Sequence, residues 1–369
     1  MAELQRNQAH DPMPTTGDEV TSTKVGDRRY ALLLAGRGSY TERSLGTLAA
    51  AMRDPELAPL VERTEELRRE FDLPSLLELD AAERFSAAHH LRPANVSALI
   101  WLCTWLDATV ARRRELPEHG GWRLVGIAGN SMGWYTGLSV GGALSFDDGF
   151  RLVQGMALLQ EEPVGGGQLL YPIMDEQWRT SPGREALVQA ALDSSGGEAL
   201  PSIELGGFRV LAGTDAGLSH LSQSLPVIEL GKNRYPMKLV QHGPYHTGLL
   251  SGIADRARED FSDLGWMRPA VCLVDGRGSI FTPWSASLPE LREYTLGHQI
   301  TKPYDFSRSI RILLRELAPD RLVLPGPGNT LGSITGQVMI QEGWRRVRSR
   351  ADFEALQSQA EPFVESMRR

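Results

Sequence analysis

One short stretch limits what this chain can fold into more than any other. Arg123-Leu-Val-Gly-Ile-Ala is apolar enough for a strand buried on both faces, breaks at Gly129-Asn130-Ser131-Met132-Gly133, and gives way to a helical pattern from Trp134 to Gly141. Strand, sharp turn and helix, with Gly-x-Ser-x-Gly in the turn, is the arrangement that lifts a serine hydroxyl above the edge of a sheet. Glycines flank such a serine because the turn is tight and strand and helix approach closely. The backbone N–H of Met132 would then lie at a helix N-terminus, where partial positive charge stabilises an oxyanion. Taken by themselves, the five residues also fit a Gly-Ser loop that only turns a corner.

The surrounding pattern extends the strand–turn–helix theme. Tyr30-Ala-Leu-Leu-Leu-Ala predicts a second buried strand, ended by Gly36-Arg37-Gly38-Ser39. From Ser44 to Arg113, Ala, Leu, Glu and Arg predominate between turn signals at Pro55, Pro74 and Pro93, which predicts several helices, and another is predicted from Phe146 to Gln160. Beyond Pro163 the predicted order is strand 168–174, helix 184–193, strands 202–205 and 208–211, helix 216–225 and strand 236–240. That is βαββαβ, a ferredoxin-like unit. The earlier rhythm resumes after His246, with a strand at 270–274, a helix at 306–317, a strand at 322–324 and the turn Gly326-Pro-Gly-Asn-Thr. The expected fold class is therefore α/β, a mostly parallel core carrying a ferredoxin-like insertion. Expected boundaries are a disordered tail at 1–28, core at 29–162, insertion at 163–241, core again at 242–346, and an amphipathic C-terminal helix at 347–369.

Bulk properties remove several classes of function. Lys and Arg number 39 against 46 Asp and Glu, a formal charge of −7, so nucleic acid is not an expected partner. No run approaches the ~20 uninterrupted apolar residues of a membrane helix, and the polar N-terminus does not resemble a signal peptide; the expected location is the cytoplasm, with no membrane partner. Cys103 and Cys272 both sit in apolar runs, which suits two buried thiols in a reducing compartment.

A nucleophilic serine needs a base. Of eight histidines, only His246 lies in a short Gly- and Pro-containing loop after a predicted strand, His242-Gly243-Pro244-Tyr245-His246-Thr247. His242 and His246 are four apart, a metal-ligand spacing on a helix, but Gly243 and Pro244 forbid a helix there. No metal and no bound cofactor are expected.

The chain resembles the malonyl-CoA:acyl carrier protein transacylase family, which includes the acyltransferase domains of polyketide and fatty acid synthases. The resemblance runs from about Tyr30 to Arg346. The family's Pro-Gly-Gln-Gly-Ser-Gln is similar to Ala35-Gly36-Arg37-Gly38-Ser39-Tyr40, and its Gly-His-Ser-Leu-Gly-Glu-Tyr to Gly129 through Tyr135. Its Gly-Pro-Phe-His-Ser is similar to Gly243-Pro-Tyr-His-Thr247, its late Gly-Pro-Gly to Gly326-Pro-Gly328, and Gly142 through Asp148 matches nearly letter for letter. The resemblance implies an α/β-hydrolase-like core and an acyl group carried on Ser131 with His246 as base. It implies backbone N–H groups of Met132 and Arg37 in the oxyanion hole, acyl-CoA as donor, and the phosphopantetheine thiol of an acyl carrier protein as acceptor.

It also implies that a backbone carbonyl orients the base, and we place that carbonyl near Leu324–Pro325. The departures fall at acyl-binding positions: Asn130 for His, Trp134 for Glu, and Met156 for the Arg that pairs with a malonyl carboxylate. These predict a preference for an uncharged acyl group, with malonyl the alternative should Arg37 reach the cleft. An acyl-thioester hydrolase and a non-catalytic docking module on the same fold are the competing readings.

Overall fold

The computed structural model describes residues 28–367. The tail expected at 1–28 lies outside these, except that Arg28 already opens the first strand. In chain order the strands are β1 (Arg28–Leu34), β2 (Trp122–Gly129), β3 (Gly167–Pro172), β4 (Ala199–Leu205), β5 (Phe208–Gly213), β6 (Ile228–Leu230), β7 (Asn233–Tyr235), β8 (Met237–Lys238), β9 (Cys272–Val274), β10 (Ile280–Phe281), β11 (Tyr304–Asp305), β12 (Arg321–Leu324) and β13 (Val364–Ser366).

The larger sheet has the order β10-β9-β2-β1-β12-β13, parallel except for β10. Its central strand shows why an unbroken apolar run was needed. Leu32 and Leu34 point into one core with the helices Pro93–Val110, Met132–Val140 and Phe146–Leu159. Ala31 and Leu33 point into the opposite core with the helices Phe306–Ile312 and Thr330–Glu342. All four are 0% exposed. Alternate side chains of a strand face opposite ways, so a strand covered on both faces cannot spare a polar position. The helix Pro93–Val110 runs on through a π turn to Glu115, and an 18-residue window of it is apolar enough to cross a membrane, yet 83% of that window is buried inside the protein. It is a core helix.

The smaller sheet has the order β11-β4-β5-β3-β8, in which the pairs β4–β5, β5–β3 and β3–β8 are antiparallel. The helices Pro182–Asp193 and Asp215–Ser224 cover its far face and share a third core with Leu169, Tyr171 and Leu211. Three details differ from expectation. β11 comes from outside residues 163–241 and pairs in parallel with β4, stitching the smaller sheet to the main body. The hairpin β6–β7 fills the stretch between helix and last strand. The C-terminal helix spans only Arg350–Gln357; Pro362 has no N–H to continue it, and the chain returns with Phe363 and Val364 buried so that β13 extends the larger sheet.

Candidate active site

The site begins where β2 ends against its own helix. A Cβ at Gly129 would stand 2.1 Å from the backbone of Gly133, and one at Gly133 2.4 Å from the carbonyl of Leu34. Neither position has room for a side chain. Between them Ser131 adopts φ 52 and ψ −114, a region that L-residues rarely occupy and that functional sites enforce. Gly133 and Trp134 give their N–H groups to the carbonyls of Asn130 and Ser131. The N–H of Met132, first in the helix, has no intrahelical acceptor.

Ser131 Oγ lies 2.8 Å from His246 Nε2. His246 Nδ1 is 2.6 Å from the backbone carbonyl of Gln299. A carbonyl only accepts, so Nδ1 carries the proton and Nε2 presents its lone pair to the serine hydroxyl. His246 too has a positive φ, 59°, and only 3% of it is exposed. Burial, partly offset by the Gln299 carbonyl, lowers its pKa to about 4. The imidazole is therefore neutral, and able to accept a proton, throughout the physiological range.

Gln299 is the residue that sequence reasoning missed. The carbonyl that orients the base is its own and not one near Leu324–Pro325; Gly328 packs against the Ser39 carbonyl instead, and Gly326 against Thr104. The Gln299 side chain contributes as well, with Nε2 donating to the Ser131 carbonyl at 3.1 Å and Oε1 accepting from Tyr135 at 2.5 Å. Tyr304 donates to the Gly129 carbonyl, and its ring centroid lies 5.3 Å from that of His246. Its neighbours in the chain, Leu296 and Ile300 among them, carry no mark of this role.

The smaller sheet braces the other side of the base. Ser202 donates to the Tyr245 carbonyl at 2.9 Å, immediately before His246. Gln168 Nε2 donates to Ser202 at 2.7 Å, leaving its Oε1 to accept from His242 Nδ1 at 2.8 Å. His242 and His246 thus have separate partners, and burial pushes the His242 pKa well down.

Between the two sheets lies a cavity of about 460 Å³ reaching Ser131 and His246. Leu170, Leu205, Phe208, Val210 and Met237 form its apolar wall, and Arg37, Gln160 and Tyr245 stand at its polar part. Of the candidate acyl-binding residues the structure brings only Asn130 here, with its Oδ1 buried and without a partner among the described residues. Trp134 is 1% exposed, donates to Thr295 at 3.0 Å and packs edge-on against Tyr294. Met156, also 1% exposed, packs in the main core. Neither lines the cavity, because the helices Met132–Val140 and Phe146–Leu159 turn these two side chains toward the main core.

A strained elbow serine bonded to a buried histidine, in a cleft between two sheets, is the arrangement of a serine nucleophile and its base, set here on a mixed α/β fold. No family model matches the chain. The malonyl CoA-acyl carrier protein transacylase of Escherichia coli O157:H7 is 23% identical over 319 residues, 84% of this chain and 93% of that protein. Two solved structures share the fold. A malonyl-transacylase in complex with a type II polyketide synthase acyl carrier protein superposes with a TM-score of 0.68, at 18% identity, over 92% of this chain and 96% of the other. The acyltransferase domain of the second module of the salinomycin polyketide synthase gives 0.69 at 18% identity, over 93% of this chain and 69% of the other. The chain is thus similar along most of its length to malonyl CoA-acyl carrier protein transacylases, and it shares the fold of a malonyl-transacylase and of a polyketide synthase acyltransferase domain.

Proposed function

We propose that the protein moves an acyl group, with malonyl favoured, from coenzyme A to the phosphopantetheine thiol of an acyl carrier protein through an acyl-Ser131 intermediate. The observation that carries this reading is the 2.8 Å contact between Ser131 Oγ and a deprotonated His246 Nε2 on a strained elbow. Nε2 takes the hydroxyl proton as Oγ attacks the thioester carbonyl. The oxyanion is received by the N–H groups of Met132 and Arg37. Its collapse expels the coenzyme A thiolate, which His246 protonates; the carrier thiol then gives its proton to Nε2, attacks the acyl-serine, and Ser131 recovers its proton.

Malonyl takes precedence over the uncharged acyl group expected from the sequence for two reasons. That expectation rested on Met156 facing the substrate, and Met156 is packed in the core. The curated relatives that match along most of the chain are named malonyl transacylases. The strand order β8-β3-β5-β4 within the smaller sheet supports reading residues 163–241 as a ferredoxin-like insertion in an α/β-hydrolase-like core at 29–162 and 242–346. The workplace that fits is the cytoplasm.

Intact-protein mass spectrometry after exposure to malonyl-CoA tests the reading, followed by addition of a phosphopantetheinylated carrier. The expected result is a malonyl adduct that disappears as the carrier gains it. Release of free acid at catalytic rates without a thiol acceptor would identify a hydrolase instead.

A further inference from the structure

The geometry points to Arg37, assisted by the phenol of Tyr245, as the group that selects an acyl chain ending in a carboxylate. The inference rests on the acyl-serine reading and adds a specificity-determining residue to it. Among the described residues that line the cavity, Arg37 is the sole Lys or Arg and none is an Asp or Glu. Its hydrogen-bond partners among the described residues are neutral: the Gln241 carbonyl at 2.6 Å from Nη2 and Gln160 Oε1 at 3.4 Å from Nη1. A guanidinium has five N–H donors, so most of them remain to be given.

Tyr245 supplies the second observation. The Arg37 guanidinium carbon lies 4.9 Å from the centre of its ring. Tyr245 is 8% exposed, lines the same cavity, and its hydroxyl is buried with no partner among the described residues. A buried hydroxyl left without a partner is unfavourable, so a site that keeps one beside a cation whose partners among the described residues are all neutral is arranged for an anionic acceptor. Tyr245 also precedes His246 in the chain. Gly36, next to Arg37, lies so close to the elbow that a Cβ there would stand 2.5 Å from the Asn130 carbonyl. Cation and phenol are thereby held on the two segments that flank the Ser131–His246 pair, where the far end of a short diacid would arrive.

The test compares kcat/KM for loading Ser131 from malonyl-CoA and from acetyl-CoA in the full chain, for wild type, R37Q, R37K and Y245F. Because charge-assisted bidentate pairs are strong, R37Q is expected to lower the malonyl-to-acetyl ratio by roughly tenfold or more. R37K should recover part of that ratio, and Y245F should lower it by a smaller factor. Arg37 also ties the Gln160 and Gln241 segments together; if that is its only role, R37Q slows both donors equally, and an unchanged ratio overturns the inference. Should R37Q not fold, Y245F decides alone: the inference falls if its ratio equals that of wild type. Ser131→Ala separates this from the underlying reading, since an acyl adduct on that variant refutes the acyl-serine and not the selector.

Discussion

The turn around Ser131 and the wall of the cavity beside it are built by opposite rules. In the turn, backbone approaches backbone so closely that Gly129 and Gly133 have no substitute, and the serine is placed by the chain itself. Along the wall, side chains from β3, β4, β5 and β8 and from the Gly36–Ser39 loop meet across a groove, and no single element dictates what stands there. On the proposed reading such a site can keep its chemistry while its choice of acyl group changes, since the two lie in different parts of the architecture.

The strongest way to break that comparison is at the nucleophile. Ser131→Ala is expected to abolish covalent loading from every donor, and an adduct in the intact mass would mean that the turn is not the reactive part. His246→Ala should reduce turnover by about 10⁴–10⁶, the scale on which members of a Ser–His unit act. A loss below about tenfold would show that another base operates.

Gly133→Ala measures how rigid the turn is. With the Leu34 carbonyl 2.4 Å from the new Cβ, main chain must shift, at an expected loss of about 1–3 kcal/mol in stability. Chemical denaturation reads this directly, and a loss below about 1 kcal/mol would mean that strand and helix are less tightly apposed than described.

Acidity tests the electrostatics of the base. The His246 pKa is lowered from 6.5 to about 4, so loading should be flat from about pH 8 to 5 and fall only as pH approaches 4; a midpoint near 6.5 would mean a solvated imidazole. The sign for stability follows. Both His246 and His242 bind protons more weakly folded than unfolded, so stability held above pH 6.5 is lost as pH falls toward 4. The smallest effect is expected at Met156→Leu, where a volume-conserving swap costs less than about 1.5 kcal/mol and the malonyl-to-acetyl ratio stays put. A changed ratio would return Met156 to the pocket.

What could be read from the sequence follows the same division. Ser131, Met132 and His246 are local features, announced by glycines and by an apolar strand just before a turn, and the structure brings them together. The parallel core and the separate smaller sheet were legible because hydrophobic periodicity is local too. Met156 and Trp134 were assigned to the pocket by position along the chain, but which face of a buried helix meets a cavity depends on packing partners far away in sequence. Gln299 reaches Ser131 across 168 residues, and β11 reaches β4 across about a hundred; nothing nearby in the chain marks either meeting.

The segment from Gln299 to Asp305 also sets the order in which the protein can come into being. It carries the carbonyl that aims the base, the amide that steadies the Ser131 carbonyl, the phenol on Gly129 and the edge strand of the smaller sheet. A ribosome delivers the nucleophile early and this segment late, and β1 waits longer still for β12. Pairings so far apart form slowly and leave partly folded species exposed. A nascent chain stopped before residue 299 lacks the carbonyl that holds His246 Nδ1, so on the proposed reading the hydroxyl acquires its reactivity only after that segment has been made and docked.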